Sequence, residues 1–256
     1  MTVKIKKLTY DDLRLFPLLY EQKVMTTKQI NRDVYGMKSI RSLSNRLKRF
    51  EDAKIIQAGY SQVRYPEKVF SLTQKGYKNF IENGEECRIQ LKSDSIDHDL
   101  ALVDIRHRLL KDDIANQFIT ENTLQTWRCF SDDQRYFPYI GLKCDGVMEV
   151  LFSDESVRFA LEYEANTKTW ARYGDILGRY YRDKSVPFVL FICEGRALMT
   201  RIMGAERKQF SKEKPKAFYV ELADLLGSDT VELCNRDQGK LRIYPKEPDL
   251  SSNDRW

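Results

Sequence analysis

The sequence predicts an α+β protein in two parts: a helical N-terminal domain closed by a two-stranded ribbon, then an α/β domain on a mixed sheet. Three observations predict it. Apolar residues recur at helical spacing through the first 52 positions and then switch to two short strand-like runs. A polar stretch with isolated apolar residues follows at 83–97. Beyond it, runs rich in Val, Ile, Phe and Tyr alternate with helical patterns, as expected of strands joined by helices.

Residues 8–21 read as the first helix. Thr9 or Asp11 can cap it, and Leu13, Phe16, Leu19 and Tyr20 recur on one face. Pro17 falls inside, so the helix is kinked or begins later than the cap suggests. Thr26 and Thr27 cap a second short helix, 28–35, ended by Gly36. The third helix spans 38–52. Ile40, Leu43, Leu47 and Phe50, at spacings of three, four and three, form one buried stripe. Its opposite face shows Arg41, Ser44, Asn45 and Lys48, flanked by Arg46 and Arg49. Residues 55–60 and 68–73 read as two strands with a basic tip near Arg64. Leu72-Thr73-Gln74-Lys75-Gly76 then leads into a last short helix.

Between Lys23 and Lys54 there are nine Lys/Arg and three Asp/Glu. Lys38, Arg41, Ser44, Asn45, Lys48 and Arg49, with Arg64 on the ribbon, are residue types that contact phosphates and base edges in a major groove. The bland reading of the same face is a solvated helix in a protein-binding module. Three helices followed by a ribbon, with the Leu72-Thr73 to Gly76 ending, resembles the winged helix-turn-helix family over residues 8–82. The resemblance implies that the third helix recognises double-stranded DNA and that the ribbon is the wing.

After a linker at 83–97, residues 98–244 form the second domain. Residues 98–118 read as a long helix with Leu102, Ile105 and Leu109 on one face. His98 lies one turn before Leu102 and points to the core or to a site at the sheet end. His107 lies off that face and reads as solvated. Strands follow at 123–130, from near Cys144, and up to Glu164. Thr169 caps a helix through Tyr181, with Trp170, Tyr173, Leu177 and Tyr180 as its inner stripe. Residues 187–193 are continuously apolar, as in a strand covered on both faces. A helix at 196–210, a strand at 217–220 and a helical turn at 222–226 close the domain. The tail, 245–256, reads as disordered.

The candidate chemistry sits on residues 144–164. Asp145 opens one strand-like run; Glu162 and Glu164 close the next, and Ser153 to Ser156 read as a hairpin turn between them. Antiparallel pairing across that turn brings the three acids to one sheet end. Converging carboxylates repel unless a cation or proton intervenes. One reading is a site for a hard divalent metal; the other is a solvated acidic hairpin end.

This order of elements resembles the PD-(D/E)xK, restriction-endonuclease-like fold. The resemblance implies that Asp145 and Glu162 are metal ligands for Mg²⁺ or Mn²⁺. Glu164 stands where that family has its lysine. Lys168, in the loop before the next helix, can reach back, and Arg172 and Arg179 are further substitutes. A narrower resemblance covers most of the chain: a winged helix, Asp97-His98-Asp99-Leu100 opening a helix, Asp145-Gly146, Leu161-Glu162-Tyr163-Glu164, and Arg179-Tyr180-Tyr181. Together these are similar to the replication-relaxation proteins of plasmids and other mobile elements. That resemblance implies a DNA transaction without settling whether the protein cuts.

Composition bounds the alternatives. The chain has 256 residues, 42% hydrophobic and 32% charged, with a net charge of +5, mild enough to permit a nucleic-acid partner without requiring one. Five scattered cysteines form no disulfide framework or zinc knuckle, which points to a reducing, cytoplasmic setting. No run of about 18 apolar residues predicts a membrane span, and nothing at the N-terminus reads as a signal peptide. Two histidines exclude a histidine-rich metal centre, and no phosphate loop or Gly-x-Ser-x-Gly elbow is present. Tyr180 or Tyr181 as a nucleophile lacks the metal-binding histidines such nicking enzymes gather. Three functions stand: a DNA-binding regulator or replication accessory whose nuclease-like domain does not cut efficiently, an active Mg²⁺- or Mn²⁺-dependent endonuclease or nickase with Asp145, Glu162, Glu164 and Lys168 at its centre, and an assembly module for a relaxase or replication protein. A homodimer would suit a winged helix working on two half-sites.

Overall fold

The computed structural model describes residues 7–36, 39–61, 67–152, 155–228 and 230–243. Lys38, Arg64, much of the 153–156 turn and the tail lie outside the described residues. The protein is α+β and divides into two compact units. The first is Met1–His107 with Ile119–Val147; the second is Arg108–Phe118 with Met148–Trp256.

The first unit opens with α1 (Tyr10–Gln22). The Thr9 side chain and Asp12 exchange hydrogen bonds with each other's backbone in a capping box, which fixes the start immediately after Thr9. Pro17 lies inside the helix, so the expected late start does not occur. Pro17 removes one N–H bond, and the buried Leu15, Phe16 and Leu19 around it hold the helix by packing. β1 (Met25–Thr26) leads into α2 (Thr27–Ile30), capped by a Thr26–Gln29 box and continued by a π-turn over Asn31–Tyr35. Gly36 ends it at φ 65°, where a side chain would be strained. α3 (Ile40–Asp52) buries Leu43, Leu47 and Phe50. Ile40 is 48% exposed, so the predicted stripe starts one member later. A helix end at the rim of a core keeps the sequence pattern but not the burial.

β2 (Ile56–Tyr60) and β3 (Lys68–Leu72) pair antiparallel with Ala58 opposite Phe70, and β1 completes a sheet of order β1-β3-β2. α4 (Gln74–Phe80) follows, capped by Thr73. Its Gly76 has a packing reason: a Cβ there would press into the Ile55 carbonyl, closer than real Cβ contacts come. α5 (Ile96–Lys111) gives its first turns to this unit. Leu100 packs with Val24 and Val69, and Val103 joins the core of Phe16, Leu47 and Phe50.

The sequence reading placed a helix to residue 118 and a strand at 123–130; both boundaries move. α5 ends at Lys111, and Asp113 turns the chain at φ 50°. The strand is β4 (Gln117–Thr120). Thr120 then caps α6 (Glu121–Thr126) through the Thr123 N–H at 3.1 Å, which converts a β-prone Thr/Leu/Trp run into helix. α7 (Arg128–Ser131) and α8 (Phe137–Leu142) follow.

The rest of the chain builds a seven-stranded mixed sheet. β5 (Gly146–Phe152) and β6 (Glu155–Glu164) match the predicted runs. α9 (Trp170–Arg182) is capped by Thr169, and β7 (Phe188–Cys193), α10 (Arg196–Phe210), β8 (Ala217–Glu221) and α11 (Leu222–Gly227) complete the expected order. Two further strands, β9 (Val231–Asn235) and β10 (Lys240–Ile243), were not legible as strands because their short runs are half polar. The order is β10-β9-β8-β7-β6-β5-β4. β6, β7 and β8 pair parallel, and β8, β9 and β10 antiparallel. Phe159, Leu161, Phe191 and Tyr219 are buried along these strands. Trp170, expected on the inner stripe of α9, is 46% exposed. Its indole lies along α10, with the Arg201 guanidinium 5.3 Å from the ring centre.

Candidate functional site

The α3 face is built by what lies behind it. Leu43, Leu47 and Phe50 bury one side, and Arg46 turns inward to an ion pair with the fully buried Asp12. Asp12 also accepts from the Thr9 N–H at 2.6 Å and the Tyr35 hydroxyl at 2.7 Å. Burial alone would raise the Asp12 carboxyl, but the Arg46 guanidinium and these donors outweigh it and hold it below its ordinary value. Burial and that carboxylate push the Tyr35 hydroxyl up. With the hydrophobic stripe and Arg46 turned inward, Arg41, Ser44, Asn45, Lys48 and Arg49 are all exposed. Helical spacing puts Arg41, Ser44, Asn45 and Lys48 on one stripe. Lys48 is partly committed, since its ammonium lies 2.8 Å from Asp52.

Asp145 lies at the residue before β5, and its carbonyl accepts from the Glu121 N–H at 3.0 Å. Its carboxylate faces His98: Nε2 is 3.4 Å from Oδ2, while Nδ1 is 3.5 Å from Asp99. Desolvation would lower the imidazole, but the two carboxylates prevail and raise it to about 10. His98 is therefore a cation beside Asp145 at neutral pH.

In the second unit, Glu162 and Glu164 lie two residues apart on β6 and share a sheet face. Elements at α9 meet both. The Tyr180 hydroxyl donates to Glu162, and Lys168 Nζ reaches Glu164 Oε1 at 2.6 Å. Glu164 is 2% exposed, and a lysine from the following loop supplies the cation that its buried carboxylate needs. The Lys168 N–H donates to the Tyr173 hydroxyl at 2.9 Å, which fixes the loop. Tyr181 donates instead to the buried Glu206. Both adjacent tyrosines are thus tied to carboxylates.

A divalent metal of the Mg²⁺ or Mn²⁺ type needs several convergent oxygens. Among the described residues no group of three or more His, Cys, Asp or Glu side chains is arranged to hold a metal ion. Asp145 is met by His98, Glu162 by Tyr180 and Glu164 by Lys168.

The sequence model of the replication-relaxation family matches residues 16–182. The chain belongs to the replication-relaxation family. The match runs from within α1 to the last residue of α9, so it takes in the α3 face, Asp145, Glu162, Glu164 and Lys168. Membership suggests a part in the replication or transfer of a plasmid or other mobile element. No curated protein and no solved structure matches the chain. Among the described residues, no helix of this family member is long and apolar enough to cross a membrane.

Two clusters escaped the sequence reading. His107, read as solvated, lies 2.7 Å from Asp33, which Arg32 also holds at 2.6 Å while reaching Asp104 at 2.7 Å. In the second unit, Arg236 and Glu206 are buried together, with the Tyr219 hydroxyl 2.8 Å from Glu206. Each joins residues far apart in the chain, and no local pattern announces such a pair.

Proposed function

We propose that this replication-relaxation protein is a double-stranded DNA-binding factor of a plasmid or mobile element, acting in its replication or transfer, with α3 as the reading helix of a winged-helix module. The α3 stripe carries the proposal. Arg41, Ser44, Asn45, Lys48 and Arg49 are exposed on a helix held from behind by the Asp12–Arg46 pair, and the β2–β3 hairpin follows it. Rigid support lets short polar side chains address base edges while arginines meet phosphates. Arg41→Ala and Arg49→Ala should each lower the salt dependence of duplex binding by about one unit of slope. Asn45→Ala should weaken binding with little change in slope. Fluorescence anisotropy across a salt series checks both, and unchanged affinity in all three variants refutes the reading helix.

The second reading is a metal-dependent endonuclease or nickase using Asp145, Glu162, Glu164 and Lys168. The Lys168–Glu164 contact favours it, and the His98–Asp145 pair weighs against it. Supercoiled plasmid incubated with Mg²⁺ or Mn²⁺ discriminates. Nicking that vanishes in Asp145→Ala and Glu162→Ala establishes the enzyme; intact plasmid with retained DNA binding establishes the factor. Capture of a relaxase or replication protein without DNA would instead favour an assembly module.

A further inference from the structure

Helices α9 and α10 follow β6 and β7, which are neighbouring parallel strands. Right-handed crossovers put both helices on one sheet face. They run in the same direction. Trp170, at the start of α9, lies over Arg201 and Gly204, and Tyr181, at its end, stacks on Phe210 at 4.2 Å. Their C-terminal ends therefore meet where the chain enters β7 and β8. Lys216 ties this end together, donating to the carbonyls of Tyr180 at 2.9 Å and Asp183 at 2.6 Å. Glu164 and Lys168 lie at the other end of the same sheet.

This end is strongly basic. Residues 179–184 and 207–216 hold eight Lys/Arg, against Asp183 and Glu213 and the adjoining Asp237. The local excess equals the net charge of the whole chain, +5. Helix dipoles account for part of it, because Arg179, Arg182, Arg207 and Lys208 occupy last turns. They do not account for Lys184, Lys212 and Lys214, which lie outside the helices and are exposed. Among the described residues, no ion pair engages Lys184, Lys208, Lys212 or Lys214. An excess of like charge gathered at one surface destabilises the folded chain unless a polyanion meets it.

We infer that this end of the second unit is a second DNA contact, which takes the phosphate backbone of duplex DNA without reading sequence. A single strand would call for exposed aromatic platforms. Among the described residues no large aromatic is exposed in these stretches, and Tyr181 and Phe210 stack on each other. The surface thus offers charge alone, the signature of backbone contact. It extends the DNA-binding reading but stands on different residues.

The test uses the full chain with Lys208→Gln, Lys212→Gln and Lys214→Gln combined, and Arg41→Ala in parallel. Binding of a random duplex of about 30 base pairs is followed by anisotropy across a salt series, with circular dichroism confirming the fold. The combined variant should lose about 2–3 units of salt slope and on the order of 100-fold in affinity at about 0.1 M salt. An unchanged slope overturns the inference even if Arg41→Ala weakens binding, and a loss confined to single-stranded DNA, RNA or an acidic protein overturns it too. If Arg41→Ala leaves binding intact while the combined variant loses it, the second contact stands and Arg41 drops out of the α3 reading.

Discussion

Asp12→Ala should loosen α3 by removing the group that anchors it. The carboxylate is fully buried and receives the Arg46 guanidinium, the Tyr35 hydroxyl at 2.7 Å and the Thr9 N–H at 2.6 Å. Breaking a buried ion pair costs about 3–5 kcal/mol. Arg46 keeps 27% of its side chain exposed and can turn to water, which favours the lower end. The stranded Tyr35 hydroxyl adds about 1–3 kcal/mol and the lost capping box about 1 kcal/mol. These contributions share one carboxylate and overlap, so about 4 kcal/mol is expected. At about 2–4 °C per kcal/mol for a chain of this size, the melting transition that includes α3 should fall by about 8–16 °C. Asp12→Asn keeps one acceptor and should fall by about half as much. The folded Asp12 value lies below the ordinary 3.8, so its stabilisation is complete above that pH and is lost as pH falls through the folded value. The gap between wild type and Asp12→Ala should therefore narrow at acid pH. Thermal melts across pH check both claims. A shift under about 3 °C at neutral pH, or a gap that widens in acid, would mean the pair does not anchor α3.

Lys168→Met removes the cation 2.6 Å from the buried Glu164 and should cost about 2–4 kcal/mol at neutral pH. Glu164→Gln added to it should restore the melt, since a neutral side chain at that buried position needs no cation. His98 is raised to about 10 from 6.5, so its contribution is complete below 6.5 and fades as pH climbs through the folded value. Its ring protons followed by NMR should show no titration near neutrality in the wild type and a midpoint moved toward 6.5 in Asp145→Asn; a wild-type midpoint near 6.5 refutes the charged pair. Gly76→Ala, which in an exposed helix would add about 1 kcal/mol, should instead destabilise, because the Ile55 carbonyl occupies the space of the new methyl. An unchanged or raised melting temperature would show that α4 can shift.

Local chemistry decided most of the elements. Thr9, Thr26, Thr73 and Thr169 each cap the helix that follows, and each cap is a side chain bonding a backbone N–H three residues on. The continuous apolar run of β7 and the acid-ended β5 and β6 were readable for the same reason: side-chain period and strand length are local properties. Where a cap competed with a β-prone run, as at Thr120, propensity misled and the cap won.

Which groups meet was a different matter. The sequence placed Asp145, Glu162 and Glu164 at strand ends and left their partners open. Tertiary structure supplied them: His98 from α5 for Asp145, Tyr180 from α9 for Glu162, and Lys168 for the buried Glu164. By itself, then, the sequence determined most of the element order, the helix caps it announced and the polar face of α3. Only the tertiary structure decided that Arg46 leaves that face for Asp12, that His107 is paired, and that the basic C-terminal ends of α9 and α10 share one surface. The physical reason is range. Capping and periodicity act within a turn or two of chain, whereas charge pairing depends on distances that only the folded backbone sets.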